Sequence, residues 1–479
     1  MKLIDKDRSG SIKVIKPVSD HKKDDVYKIR YTIKEGAGKR PEKLSGREYK
    51  QPRRLYSPVE ADRIKVKTGV IPPEKVRRAK RAPVLKTAPK DPTAPKHNFG
   101  RFSELFEELK DHLMHIDYIT VGIVAALSVI GILAVHSATL SKGSGRFDFM
   151  QIFMTVACFC IMLALSYFDY DIITKKYRYI LLLNIAMLAF TAIFGTGADG
   201  MGDTNHNWIR IGPVGIQPAE IGKILYIITF ASHLDAVKHR VNHIKTVTGL
   251  LLHSGLIIGL VLAERDLGQA AVYIAITVVM LFAARLSAWY FIGAGTVLAA
   301  AAPVIFANLQ EYQKKRILVG FNPELDPLGK GYQALQSKIA IASGGFSGQG
   351  YRDGMLSQTE QIPAKQTDMI YAVIGEEAGF IGAIVVIVLL FSLVARLFYN
   401  CVSADKMSGA LIFAGIAGMI MYQTIENIGM CLGMLPVIGI TLPFISYGGS
   451  SVLGLYLAMG MAASVYAKND RLYFSKGKL

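Results

Sequence analysis

Cysteine is scarce in this chain, and nothing in its placement suggests a framework. The four residues, Cys158, Cys160, Cys401 and Cys431, lie in or beside apolar segments, where a thiol behaves as a small core side chain. That excludes a disulfide scaffold. The ten histidines are scattered without ligand spacing, so no structural metal site is expected. No P-loop pattern accompanies the glycines of 344–350, which read as loop turns. The opening MKLIDKDRSG has no apolar core region, so a secretory signal peptide is not expected. The first 115 or so residues also lack any apolar run near the roughly 20 residues that cross a bilayer.

Positive charge is what that first stretch has instead. It carries about +14 of the formal +18. Residues 1–99 read as a basic, largely disordered tail, rich in Pro, Lys and Arg from about Arg40 to Lys96. Beside a membrane such a tail belongs on the cytoplasmic side, against anionic lipid. Nucleic-acid binding is the rival reading and is not expected, because no folded reader module is visible. Over 100–116, Phe102, Leu105, Phe106, Leu109 and Leu113 recur at helical spacing, which predicts an amphipathic juxtamembrane helix.

From 117 to about 468 the chain has a different, apolar character. Ten apolar stretches predict an all-α polytopic fold with spans near 117–139, 149–168, 177–195, 214–233, 246–263, 267–285, 288–307, 369–399, 408–431 and 447–467. Basic residues such as Lys175, Lys176, Arg178, Lys238, Arg240, Lys245, Arg285, Arg396 and Lys406 fall in alternate connections. The positive-inside rule then puts both termini, including the tail 469–479, in the cytoplasm. A large outer loop, 308–368, joins spans seven and eight. It is too polar to cross a bilayer, and a long ordered loop of this kind usually carries function.

Ionisable residues interrupt the spans: Glu220 and Lys223, Glu264 and Asp266, Glu376 and Glu377, and Glu426. Charge at membrane depth is costly, so each must face a cavity or a partner. Glu220 and Lys223 are i,i+3 and can pair. Gln423 with Asn427, and Tyr422 with Glu426, are i,i+4 and give one span a polar stripe. Helix-to-helix polar glue is an equally open reading of Glu377 and Glu426.

Five segments in order, GIQPAEIGK (215–223), ERDLGQA (264–270), GYQALQSKIAIASGG (331–345), QIPAKQTDMIYAVIGEEAGFIG (361–382) and NIGMCLGMLPVIGITLPFISYGGSS (427–451), carry a resemblance. They are similar to the successive signatures of the SEDS family, which includes RodA, FtsW and SpoVE, over about 117–468. The resemblance implies a bacterial cytoplasmic-membrane glycosyltransferase that polymerises lipid II into peptidoglycan strands for elongation or division. It would release undecaprenyl-pyrophosphate and work with a class B penicillin-binding protein. By motif, Asp368 matches the family's catalytic aspartate and Glu360 a second acidic loop position. Lys223 matches the lysine of QPxExxK, and Asp266 the aspartate of a PDLGT-like motif. This chain departs at Asn207, ahead of Trp208 where Arg is frequent, at Arg265 where Pro is usual, and at Ile438 where many FtsW proteins carry Lys.

The implied chemistry suits these residues. The donor sugar is α-linked to pyrophosphate and the product is β-linked, so the anomeric carbon inverts, and one general base suffices. A pyrophosphate leaving group needs cations rather than a general acid. Asp368 is expected as the base. Arg210, Arg265, Lys338 and Lys365 are cationic candidates, with Glu220, Trp208 and Ser446 as further substrate contacts. Glu360 is expected either to orient the acceptor, to share Mg²⁺ or Mn²⁺ with Asp368, or to be purely structural. A lipid II flippase or transporter is the rival function, since Gly/Pro-broken spans suit alternating access. A non-catalytic scaffold is the third reading.

Overall fold

A computed structural model describes five short strands between residues 4 and 50, and residues 115–477 apart from 141–144, 198–205, 213, 309–310 and 330. The chain divides into two units, Met1–His97 and Asn98–Leu479. In the first, β1 (Ile4–Lys6) pairs antiparallel with β2 (Ile12–Val14). The strands β3 (Lys16–Ser19), β4 (Val26–Arg30) and β5 (Glu48–Lys50) form an antiparallel sheet in that order. Tyr27-Lys28-Ile29-Arg30 alternates apolar and basic residues, the period of a strand. A reading led by charge and proline content passes over that alternation. The helix expected over 100–116 lies, except for its last two residues, outside the described residues.

The second unit is helical. Its order is α1 (Tyr118–Thr139), α2 (Arg146–Tyr167), the short α3 (Tyr170–Lys175) and α4 (Tyr177–Phe194). A hairpin of β6 (Ile209–Ile211) and β7 (Val214–Ile216) leads to α5 (Pro218–Val237), α6 (Ile244–Ala263), α7 (Leu267–Ala283) and α8 (Ala288–Asn308). Then come α9 (Glu311–Phe321), α10 (Tyr332–Ser343), α11 (Met355–Gln358), α12 (Ile370–Ser403), α13 (Met407–Cys431) and α14 (Gly449–Gly477). The last helix runs past the boundary read at 468. Among the described residues, eight helices are long and apolar enough to cross a membrane. Of the other two stretches read as spans, α7 is apolar but only 17 residues long, and α5 carries Glu220, Lys223 and Asp235. The unit is therefore a polytopic all-α membrane protein.

The helix α14 packs along α2, and α13 lies against both α7 and α12. Asp117 caps α1, accepting from the Thr120 amide at 3.3 Å, and also takes Arg396 Nε and Nη2, both at 2.9 Å, from α12. A side chain that caps one helix and anchors another removes an orphan donor and an isolated charge together.

The polar segment before α12 is docked onto that helix through a break. Gly379 has φ +62° and ψ −159° inside α12, so the helical ladder is interrupted there. The freed carbonyls of Glu376 and Glu377 accept from the Gln349 and Gly350 amides, each at 3.0 Å. In return the Phe380 amide donates to the Gly345 carbonyl at 2.9 Å. The backbone groups lost by the helix are thus satisfied by the loop, as burial requires. The side chains add to this. Glu376 accepts from the Leu356 and Ser357 amides at 2.7 and 2.8 Å, and Glu377 from Ser137 Oγ at 2.5 Å and Gln358 Nε2 at 3.2 Å. These two buried carboxylates clamp the loop, and the Ser137–Glu377 bond also joins α1 to α12, a helix-to-helix contact of the kind left open for Glu377.

Candidate active site

The break in α12 fixes a loop whose end, Gln366–Asp368, forms one wall of a cavity of about 970 Å³. Other walls come from one face of α2 (Phe147, Met150, Met154), from the β6–β7 hairpin, from the starts of α5 and α7, and from residues 438–441 and 447–453. The hairpin brings Trp208 and Arg210 to the cavity, and the α6–α7 turn brings Arg265. Arg265 holds φ +62°, a left-handed conformation that costs an L-residue about 1–2 kcal/mol and that proline cannot adopt. The turn therefore cannot be the one a proline-bearing sequence makes at this position.

Asp266 is the hub of that wall. It caps α7, with Oδ1 accepting from the Gln269 amide at 2.9 Å, while Oδ2 accepts from Asn207 Nδ2 at 2.7 Å and Gln217 Nε2 at 2.9 Å. Three elements are thereby held to one carboxylate. Asn207 stands where Arg is frequent in the family the motifs resemble, and its amide, with that of Gln217, donates to Asp266. Below it, Glu220 Oε2 pairs with Lys223 Nζ at 2.7 Å, and Oε1 accepts from Gln269 Nε2 at 2.6 Å. The side chains of Lys223 and Glu220 are 2% and 3% exposed, so the i,i+3 pair is desolvated. Glu220 lines the cavity, whereas Lys223 lies behind it. Glu264, just beyond α6, is buried with both carboxylate oxygens unpartnered among the described residues. Burial, with Asp266 nearby, pushes its carboxyl up to about 9, so it is neutral at pH 7.

Asp368 sits two residues before α12 and lines the cavity. Burial raises its carboxyl to about 6; the Thr367 hydrogen bond opposes this and the charge of Asp266 adds to it. A carboxylate tuned to that value is ionised at neutral pH yet basic enough to take a proton in a transition state. Gly439, with φ +73°, faces it: a Cβ there would stand 3.6 Å from Asp368 Oδ2.

Of the residues expected at the site, Asp368, Asp266, Glu220, Arg265, Arg210 and Trp208 share this cavity. Glu360, Lys338, Lys365 and Ser446 do not line it. Glu360 is exposed in a turn with φ +57°, and Lys338 is exposed on α10. Lys365 is buried and donates to the Ser357 carbonyl, so it ties the loop to itself instead of to a ligand. Ser446 is buried, donating to the Thr367 carbonyl at 2.6 Å and accepting from the Leu442 amide at 2.8 Å. Gln423 and Asn427 form no pair. The Gln423 amide has no partner among the described residues, and Asn427 bonds the Asp368 and Ile440 carbonyls. Gln217, Gln269 and Tyr447 belong to the cavity but were not singled out. The two glutamines sit inside the motifs already quoted, each within three residues of a chosen carboxylate.

The cell cycle protein family of FtsW, RodA and SpoVE matches residues 117–471. The chain belongs to this family. The probable peptidoglycan glycosyltransferase FtsW of Trichlorobacter lovleyi is 33% identical over 365 residues, 74% of this chain and 94% of that protein. The peptidoglycan glycosyltransferase MrdB of Escherichia coli K12 is 31% identical over 363 residues, 75% of this chain and 95% of its own. Among solved structures, a chain from a peptidoglycan synthase complex that coordinates polymerization and crosslinking aligns with TM-score 0.62 and 26% identity, covering 74% of this chain and 98% of that one. RodA of Thermus thermophilus aligns with TM-score 0.56 over 73% of this chain and 96% of its own, sharing the fold at 23% identity. All five motifs lie within the matched span.

Proposed function

We propose that this chain is a peptidoglycan glycosyltransferase that polymerises lipid II into β-1,4 glycan strands, with Asp368 as general base. The observation that carries the reading is that Asp368, Arg210 and Arg265 line one and the same cavity. Asp368 takes the proton of the acceptor 4-hydroxyl as that oxygen attacks the anomeric carbon of the donor. The carbon–oxygen bond to pyrophosphate breaks on the opposite face, so the centre inverts. Arg210 and Arg265 suit the developing pyrophosphate charge, which they can meet with paired N–H donors. Membership of a glycosyltransferase family and the names of its relatives support the substrate assignment. Ten spans with both termini cytoplasmic would open the cavity at the outer face, where the acceptor strand grows. A class B penicillin-binding protein is the proposed partner, in line with the synthase complex whose chain shares this fold.

A divalent cation is a separate proposal with narrower support. No group of three or more His, Cys, Asp or Glu able to hold a metal occurs among the described residues. Glu360 does not line the cavity, so a cation shared between it and Asp368 does not fit this geometry. Mg²⁺ or Mn²⁺ could still bind through one carboxylate, Asp368, together with substrate phosphate oxygens. The experiment is to incubate the purified protein with labelled lipid II, with and without its partner. Polymer from the parent protein and none from Asp368→Asn is the expected result. Polymer from both would remove Asp368 from the role of base.

A further inference from the structure

The segment Gln366–Asp368 is held through its three carbonyls, by Tyr447, Ser446 and Asn427. The Gln366 carbonyl accepts from the Tyr447 amide at 2.8 Å, the Thr367 carbonyl from Ser446 Oγ at 2.6 Å, and the Asp368 carbonyl from Asn427 Nδ2 at 2.8 Å. Asn427 differs from the other two holds. The same nitrogen also donates to the Ile440 carbonyl at 2.7 Å, so both of its hydrogens are used on two separate stretches of chain. One stretch carries the proposed base. The other is the irregular arm that contributes Ile438, Gly439 and Thr441 to the cavity and places Gly439 against Asp368 Oδ2. The Asn427 side chain is fully buried on α13, so the amide has no water to exchange with. Cys431, one turn further on, adds only a long contact to the Asp368 carbonyl, at 3.6 Å.

We infer that Asn427 is a positioning residue for the glycosyl transfer: its amide fixes the distance between Asp368 and the Gly439 arm, and so the room in which the acceptor hydroxyl meets the base. The inference rests on Asp368 being the base. Asn427 does not line the cavity; it acts through the backbone of two segments that do. Neither serine, alanine nor the isosteric aspartate can serve both carbonyls: serine offers one donor, alanine none, and aspartate would oppose a charge to both oxygens.

The test uses the full-length protein in detergent, labelled lipid II, and five variants: Asn427→Ala, Asn427→Ser, Ser446→Ala, the Asn427→Ala/Ser446→Ala double variant and Asp368→Asn. Misplacing a catalytic group by about 1 Å costs up to roughly 100-fold in rate, so kcat should fall by about 10–100-fold in Asn427→Ala and by less in Asn427→Ser. KM should change little, since substrate is held elsewhere. Asn427→Ala combined with Ser446→Ala should lose less than the two single effects multiplied, because both act through one loop segment. Parent-like kcat in both Asn427 variants, with Asp368→Asn inactive, would overturn the positioning role and leave the base intact. Losses of kcat that merely track a loss of folded protein in the melting curve would overturn it as well. An active Asp368→Asn would remove the base itself, and the positioning role with it.

Discussion

At the scale of the residue, the chemistry concentrates on Asp368. Asp368→Asn is nearly isosteric and removes the base, so polymerisation should fall by roughly 10²–10⁴-fold while the melting curve stays close to the parent's. The pH profile follows from the same carboxyl. It is raised to about 6, so the ionised, active fraction grows with pH and reaches half near that value. Activity on lipid II should therefore show an acid limb near pH 6 and lose about nine-tenths by pH 5. A limb near pH 4 would mean that burial does not act on this carboxyl in the working enzyme. Glu360 offers a contrast. It is exposed and outside the cavity, so Glu360→Gln should give a Mg²⁺ or Mn²⁺ titration that superimposes on the parent's. A rightward shift of the mutant curve would restore the shared cation.

Elements show what a sequence conveys and what it withholds. Eight of the ten stretches read as spans were legible as long apolar helices, and the i,i+3 pairing of Glu220 with Lys223 was legible from spacing alone. Cavity membership was legible where a charged residue interrupts an apolar run, as at Asp266 and Arg265. The roles of Lys365 and Ser446 were not, because both bond backbone carbonyls, and a carbonyl partner leaves no mark in the sequence. The break in α12 was hidden for a similar reason: glycine is common in membrane helices, and only the structure shows Gly379 at φ +62°. The docked loop gives a sharp prediction. Gly348 has φ +82°, and a Cβ there would lie 2.1 Å from the Glu377 carbonyl oxygen. Gly348→Ala must push the loop off the helix break, so it should lower the melting temperature markedly and cut kcat with it. The neighbouring Gly345→Ala is the control: its φ is +55° but its Cβ would meet nothing within 4 Å, so it carries the conformational cost without the clash. Equal effects from the two would show that the close approach does not hold the loop.

Across the whole molecule, charge and chemistry occupy different parts of the chain. Every residue lining the cavity lies between Phe147 and Leu453, and the family match begins at residue 117. About +14 of the formal +18 lies before that point, in a stretch with no apolar run and no motif. A positive segment beside a bilayer gains roughly 1 kcal/mol per basic residue near an anionic surface, which suits lipid contact or recruitment rather than glycosyl transfer. Removing residues 1–95 should therefore leave the membrane unit inserted, with parent-like kcat and KM on lipid II in detergent. Binding to anionic vesicles should change instead: a peptide of residues 1–95 should bind them, weaken as salt is raised, and ignore neutral vesicles. A well-folded truncated protein that no longer polymerises lipid II would make the tail part of the catalytic unit, and the separation of charge from chemistry would fail.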